Sequence, residues 1–173
     1  VSGRGECVRG LGAAGRSAGM AGTDGRGTPA ALIAFARRGT GHDPAWLIGA
    51  PVPQLGSNAG FGGGYLVVEG DESDRTVFSL PAEIAVVTNV ELDHHSEFSS
   101  ASELESEFEQ WTNTAKHVVR DAPPDPGALT LPGEYNRQNA GAALNAPELA
   151  RDGAPVPVGE PPRAPRKRRR RVT

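Results

Sequence analysis

The sequence predicts an α/β domain, a parallel sheet with helices layered on both faces. Three observations carry that expectation. The runs Tyr65-Leu66-Val67-Val68-Glu69 and Ile84-Ala85-Val86-Val87-Thr88-Asn89 are apolar up to their polar ends, as strands covered on both faces are. Stretches with helical spacing alternate with such runs, the order that builds parallel sheets. The glycine-rich turn Gly22-Thr23-Asp24-Gly25-Arg26-Gly27-Thr28 joins a strand-like run to a helix-like one.

Taken in order, residues 1–18 are rich in Gly, Arg and Ala without an apolar period and are expected to be a poorly ordered lead-in. Ser17-Ala18-Gly19-Met20-Ala21 is a run of small residues suited to a buried strand. Pro29 suits the first turn of a helix that continues through Ala30–Arg38 and closes at Gly39. Trp46-Leu47-Ile48-Gly49 reads as a second strand, and Pro51 to Gly64 as a Gly/Pro/Asn loop. The strands ending at Glu69 and Asn89 follow. Ser102 to Ala115 reads as a helix, with Leu104, Phe108, Trp111 and Ala115 recurring on one face. His117-Val118-Val119-Arg120 suits a last short strand, and Asn136 to Asn145 an Ala-rich helix. These elements place one domain at residues 19–150. Residues 151–173, rich in Pro, Gly and Arg, are expected to be a disordered tail.

Composition narrows the function. The 173 residues carry 18 basic and 21 acidic groups. Seven of the basic ones lie between Arg163 and Arg171, after the last acid at Glu160, so 11 basic residues face 21 acids in the body. An acidic body disfavours a nucleic-acid surface on the fold itself. The tail's basic run, with no interleaved aromatic residue, suits only nonspecific binding of anions such as nucleic acid. A single cysteine, Cys7, excludes an internal disulfide and a multi-cysteine zinc site and suits a reducing compartment. No run approaches the ~18 apolar residues of a membrane span, and no secretory signal is evident, so a cytoplasmic protein is expected.

The turn at Gly22–Thr28 suits a phosphate, because backbone N–H groups and the positive end of a helix converge there. Glu69 is followed by Gly70-Asp71-Glu72-Ser73-Asp74, and Asn89 by Glu91, Asp93, His94 and His95. Both segments fall at the carboxyl edge of a parallel sheet, where ligands of open α/β folds bind. Carboxylates and an imidazole beside a phosphate turn suit Mg2+.

Four stretches in order resemble the central ATP-binding domain of the Mur ligases, in their alanine-adding branch. They are Leu55-Gly56-Ser57-Asn58-Ala59, Val68-Glu69-Gly70-Asp71-Glu72-Ser73-Asp74, Val86-Val87-Thr88-Asn89-Val90-Glu91-Leu92-Asp93-His94, and Leu131-Pro132-Gly133-Glu134-Tyr135-Asn136-Arg137-Gln138-Asn139-Ala140. The resemblance implies a P-loop-type three-layer fold and an ATP-dependent ligase of peptidoglycan precursor synthesis. Such a ligase joins L-alanine to the nucleotide sugar UDP-N-acetylmuramate through an acyl phosphate. It further implies ATP held by Gly22, Thr23, Gly25, Arg26, Gly27 and Thr28, with Asn136 and Asn139 at the adenine end. Mg2+ would be held by Thr28, Glu69 and His94, and Arg26, Glu69 and His94 would serve catalysis. Gly25-Arg26-Gly27-Thr28 is similar to the Gly-Lys-Gly-Ser form of the related folylpolyglutamate synthases. Arg26 stands where the family has Lys, and Asp24 where its alanine-adding members have His. A nucleotide-binding module without turnover, and an interaction protein acting through the basic tail, are the other functions the sequence allows.

Overall fold

A computed structural model of the chain describes residues 6, 10–12, 15–22, 27–73, 75–91, 98–120, 122–123 and 134–146. The strand β1 (Ser17–Ala21) leads into α1 (Gly27–Gly39), β2 (Ala45–Val52), β3 (Ser57–Gly60) and β4 (Leu66–Glu69). A 3-10 turn (Val77–Ser79), β5 (Ile84–Val87), α2 (Ala101–Thr112), β6 (His117–Val119) and α3 (Glu134–Leu144) complete the described elements. One six-stranded sheet runs in the order β3-β2-β4-β1-β5-β6.

The central strand, β1, is buried along its whole length. It pairs in parallel with β4, Met20 level with Glu69, and with β5, Ala21 level with Val87. Strand alternation then sorts the side chains between two cores. Ala18, Met20, Val67, Ile84 and Val86 join Ala30, Ala31, Ile33 and Ala34 of α1 and Ala142 of α3 on one face. Ala21, Val68, Ala85 and Val87 join Leu104, Phe108 and Trp111 of α2 on the other. The Trp111 indole N–H is satisfied inside that second core, donating to the Leu80 carbonyl at 2.9 Å. Helices on both faces of a mostly parallel sheet give the expected three layers.

The expected loop from Pro51 to Gly64 is corrected in its middle. Residues 57–60 form β3, an edge strand antiparallel to β2, so the sheet is mixed rather than wholly parallel. The preceding strand also extends to Val52, and Leu55 and Gly56 close a tight turn onto the Val52 carbonyl. Ser57-Asn58-Ala59-Gly60 has almost no strand propensity. Its pairing is secured from outside the segment, by the Trp46 side chain lying over Gly60 and by the Trp46 indole N–H donating to the Ser57 carbonyl at 3.4 Å.

Gly12, within the expected lead-in, is buried close to Leu80 and Pro81. The expected tail at 151–173 lies outside the described residues.

Candidate functional site at the carboxyl edge of the sheet

The chain leaves β1 toward β2 and β4, then crosses after β4 to the other side, toward β5 and β6. The carboxyl ends of β1, β4 and β5 flank the point where that direction reverses, which is where ligands bind in open α/β sheets. Backbone hydrogen bonds join the three ends. The Gly70 N–H donates to the Met20 carbonyl at 2.8 Å, and the Thr88 N–H to the Ala21 carbonyl at 3.0 Å.

Gly22 follows directly, with φ +146°, a conformation open to glycine and strained for other residues. A Cβ there would run into Thr88 Oγ1 and lie 2.9–3.0 Å from the Asn89 backbone. The first residue of the phosphate-type turn is therefore fixed against the end of β5. Of that turn, Gly22, Gly27 and Thr28 are described; Thr23, Asp24, Gly25 and Arg26 lie outside the described residues.

Gly27 and Thr28 open α1, and Thr28 is buried. The helix has no acid in its own first turn and carries Arg37 and Arg38 in its last, leaving its positive end uncompensated from within. The compensating charge comes from β4. Glu69 shares a strand face with Val67, two residues earlier, and that face looks toward α1. Its carboxylate reaches the helix start: a Cβ on Gly27 would lie 3.1 and 3.3 Å from Oε2 and Oε1. From the other side the Gly49 N–H donates to Glu69 Oε2 at 2.6 Å.

Asn136 and Asn139 both lie on α3, which shares α1's side of the sheet; Asn139 is buried and Asn136 half-buried. Among the acids after Glu69, Asp71 accepts from the N–H and the hydroxyl of Ser73, at 3.0 and 2.7 Å, and so closes its own turn. Glu72 is 1 % exposed, a buried acid in a segment read as an acid-rich loop. His94 and His95 lie outside the described residues. Gly49 is the site residue that sequence reading missed. Its signal was a glycine interrupting a strand, which often marks a close backbone approach.

Among the described residues no three His, Cys, Asp or Glu side chains gather closely enough to hold a metal by themselves. The donor set at the start of α1, one carboxylate and one hydroxyl, instead fits Mg2+. That ion keeps several waters and is completed by substrate phosphates rather than by an all-protein cage.

The fold is a three-layer α/β domain with these groups gathered at the carboxyl edge of its sheet, beside β1. No family model matches the chain. Against curated proteins, it is 40 % identical over 105 residues to the UDP-N-acetylmuramate–L-alanine ligase of Gloeobacter violaceus, covering 60 % of this chain and 23 % of that protein. It is 36 % identical over 148 residues to the ligase of the same name from an Arthrobacter species, covering 80 % of this chain and 32 % of the relative. Among solved structures, the UDP-N-acetylmuramate–alanine ligase of Thermotoga maritima superposes with a TM-score of 0.71 at 20 % identity, covering 83 % of this chain and 44 % of that one. Over most of its length the chain is similar in sequence to the Mur ligases. It spans less than a third of the length of either curated relative, 23 % of one and 32 % of the other.

Proposed function

We propose that this chain is the ATP-binding part of a Mur ligase of peptidoglycan precursor synthesis, the one joining L-alanine to UDP-N-acetylmuramate through an acyl phosphate. The observation that carries the reading is the Glu69 carboxylate at the start of α1, next to the glycine turn that follows β1. A helix N-terminus behind a glycine turn attracts phosphate, whereas a carboxylate beside it repels phosphate. A divalent cation between the two reconciles them. The names of the curated relatives support the substrate assignment.

In this reading the turn from Gly22 to Thr28, with Thr23, Gly25, Arg26 and Gly27, cradles the β- and γ-phosphates of ATP. Arg26 supplies positive charge to the transferred phosphoryl group. Thr28, Glu69 and His94 hold Mg2+, and Asn136 and Asn139 contact the adenine end. When bound, Mg2+ neutralises charge developing as the phosphoryl group moves to the substrate carboxylate. The protein's own contribution is position: Glu69 is aimed by the strand face it occupies, and Thr28 by the first turn of α1. The nucleotide sugar and L-alanine are the substrates, and the reaction is cytoplasmic.

The test is a calorimetric series of ATP affinity against Mg2+ concentration. Glu69→Gln weakens the Mg2+-dependent part of binding while the fold stays intact. His94→Ala acts in the same direction and His95→Ala does not, since adjacent side chains project differently. Equal behaviour of the two histidine variants would remove His94 from the metal set. An unchanged Mg2+ response in Glu69→Gln would remove the site altogether.

A further inference from the structure

We infer that Gly49 is a positioning residue for Glu69, holding the proposed magnesium-side carboxylate in a slot between two glycines. The inference rests on the reading of Glu69 given above. Strand β2 pairs in parallel with β4 through Ala45, Trp46 and Leu47, whose last partner is Val68. On its other side β2 pairs with β3 at Trp46, Leu47 and Val52, with a register shift between Leu47 and Val52. Gly49 falls within that irregular stretch, where its N–H is turned to a side chain. Irregularities of this kind re-aim groups beside functional sites. The N–H meets Glu69 Oε2 at 2.6 Å, a short, charge-assisted hydrogen bond.

The same carboxylate fills the space a side chain would need at two separate places. A Cβ on Gly49 would lie 3.1 Å from Oε2 and 3.3 Å from Oε1, and a Cβ on Gly27 meets the same two distances from the opposite element. Strand β2 and helix α1 thus close on the carboxylate from both sides, and a Cβ at position 49 requires the carboxylate to give way by a few tenths of an ångström. Outer-shell partners that orient a metal's carboxylate commonly carry ~10-fold or more of its affinity. A group that merely completes a strand carries none.

The experiment uses the full chain, with ATP as the probe, in Gly49→Ala, Glu69→Gln and the double variant. Calorimetry with and without Mg2+ gives the affinities, and the amide spectrum gives the Gly49 resonance. The expected result is a ~10-fold loss of the Mg2+-dependent part of binding in Gly49→Ala, with Mg2+-free binding unchanged. In the Glu69→Gln background the same change adds less than ~2-fold, because the two residues act as one unit. The Gly49 amide proton moves upfield in Glu69→Gln, where a neutral acceptor replaces a charged one. That measurement needs no change at Gly49, so it decides the matter even if Gly49→Ala does not fold. Equal losses in both backgrounds, or an unmoved Gly49 amide in Glu69→Gln despite lost Mg2+ dependence, overturn the inference and leave the metal reading standing. A moved amide with unchanged Mg2+ dependence overturns the metal reading, and the inference with it.

Discussion

Gly22 combines two demands that a side chain cannot meet together, a positive φ and an approach to Thr88 too close for a Cβ. Gly22→Ala is therefore expected to cost at least ~2 kcal/mol, the sum of backbone strain and a clash with a packed strand end. Urea unfolding should show a lower midpoint with an unchanged slope. A midpoint within error of the parent would mean that the β1 and β5 ends are free to separate. The sequence shows Gly22 as the first residue of a glycine turn, but the reason for it lies 66 positions away at Thr88, where no local pattern points. Glu69 was legible for the opposite reason: a run apolar to its last residue delivers that residue to the sheet edge whatever the rest of the fold does. Glu72 was illegible. Buried Glu72 sits in the acidic run Asp71-Glu72-Ser73-Asp74, and nothing in that run sets it apart in sequence from half-buried Asp71.

Helix α2 was expected over residues 102–115 from its apolar spacing and spans Ala101–Thr112. Helix α2 begins where its cap says it should: Ser100 has extended backbone, and its hydroxyl accepts from the Glu103 N–H at 3.1 Å. Glu103 answers by accepting from the Ser99 N–H at 2.8 Å and the Ser99 hydroxyl at 2.6 Å. Those two bonds, joined by one from Arg75, hold its carboxyl below the usual range. Ser100→Ala should cost ~1 kcal/mol, as loss of an N-cap does, and lower the thermal midpoint without touching ATP binding. A loss of nucleotide affinity alongside would show that α2 communicates with the cleft. The physical route for such communication is Arg75, at φ +55°, which bonds Glu103 at 2.9 Å and Glu107 at 3.0 Å and lies 4.8 Å over the Phe98 ring. It ties the segment after Glu69 to α2. Strand β3 was misread because what stabilises it is not in it; four small or polar residues become a strand only once Trp46 covers Gly60. The position of β4 between β1 and β2 is likewise a matter of tertiary packing, since a run of apolar residues does not declare its neighbours.

Across the whole molecule the two edges of the sheet do different work. The carboxyl edge gathers Gly22, Gly27, Thr28 and Glu69, with glycines where the end of β5 and the Glu69 carboxylate approach too closely for a side chain. The opposite edge is joined by Glu83. Its N–H donates to the Ser17 carbonyl at 2.9 Å, and its carbonyl accepts from the N–H groups of Lys116 and His117 at 3.0 and 3.1 Å. Its carboxylate takes Arg16 Nε at 3.1 Å and Lys116 Nζ at 3.4 Å, so one residue links the starts of β1, β5 and β6. The hydrogen bond from Arg16, with the charge of Arg16 and Lys116, holds the Glu83 carboxyl below its ordinary range against a smaller opposing effect of burial. A carboxyl whose folded pKa is depressed contributes stability above the ordinary glutamate value of ~4.3 and loses it as pH falls through the lower folded value. Glu83→Gln should accordingly be less stable at neutral pH by no more than ~1 kcal/mol, because both cationic partners are largely in water. The gap between parent and variant should close as the pH drops below ~4.3, and also in high salt, since screening weakens exposed pairs. Denaturant midpoints from pH 7 to pH 3 measure it. A gap that stays constant down to pH 3 would assign the loss to packing rather than charge. ATP affinity in Glu83→Gln should match the parent at pH 7, because the substitution lies at the edge of the sheet away from the cleft. A changed affinity would mean that the two edges are coupled through β1, whose five residues are all that separate Arg16 from Gly22.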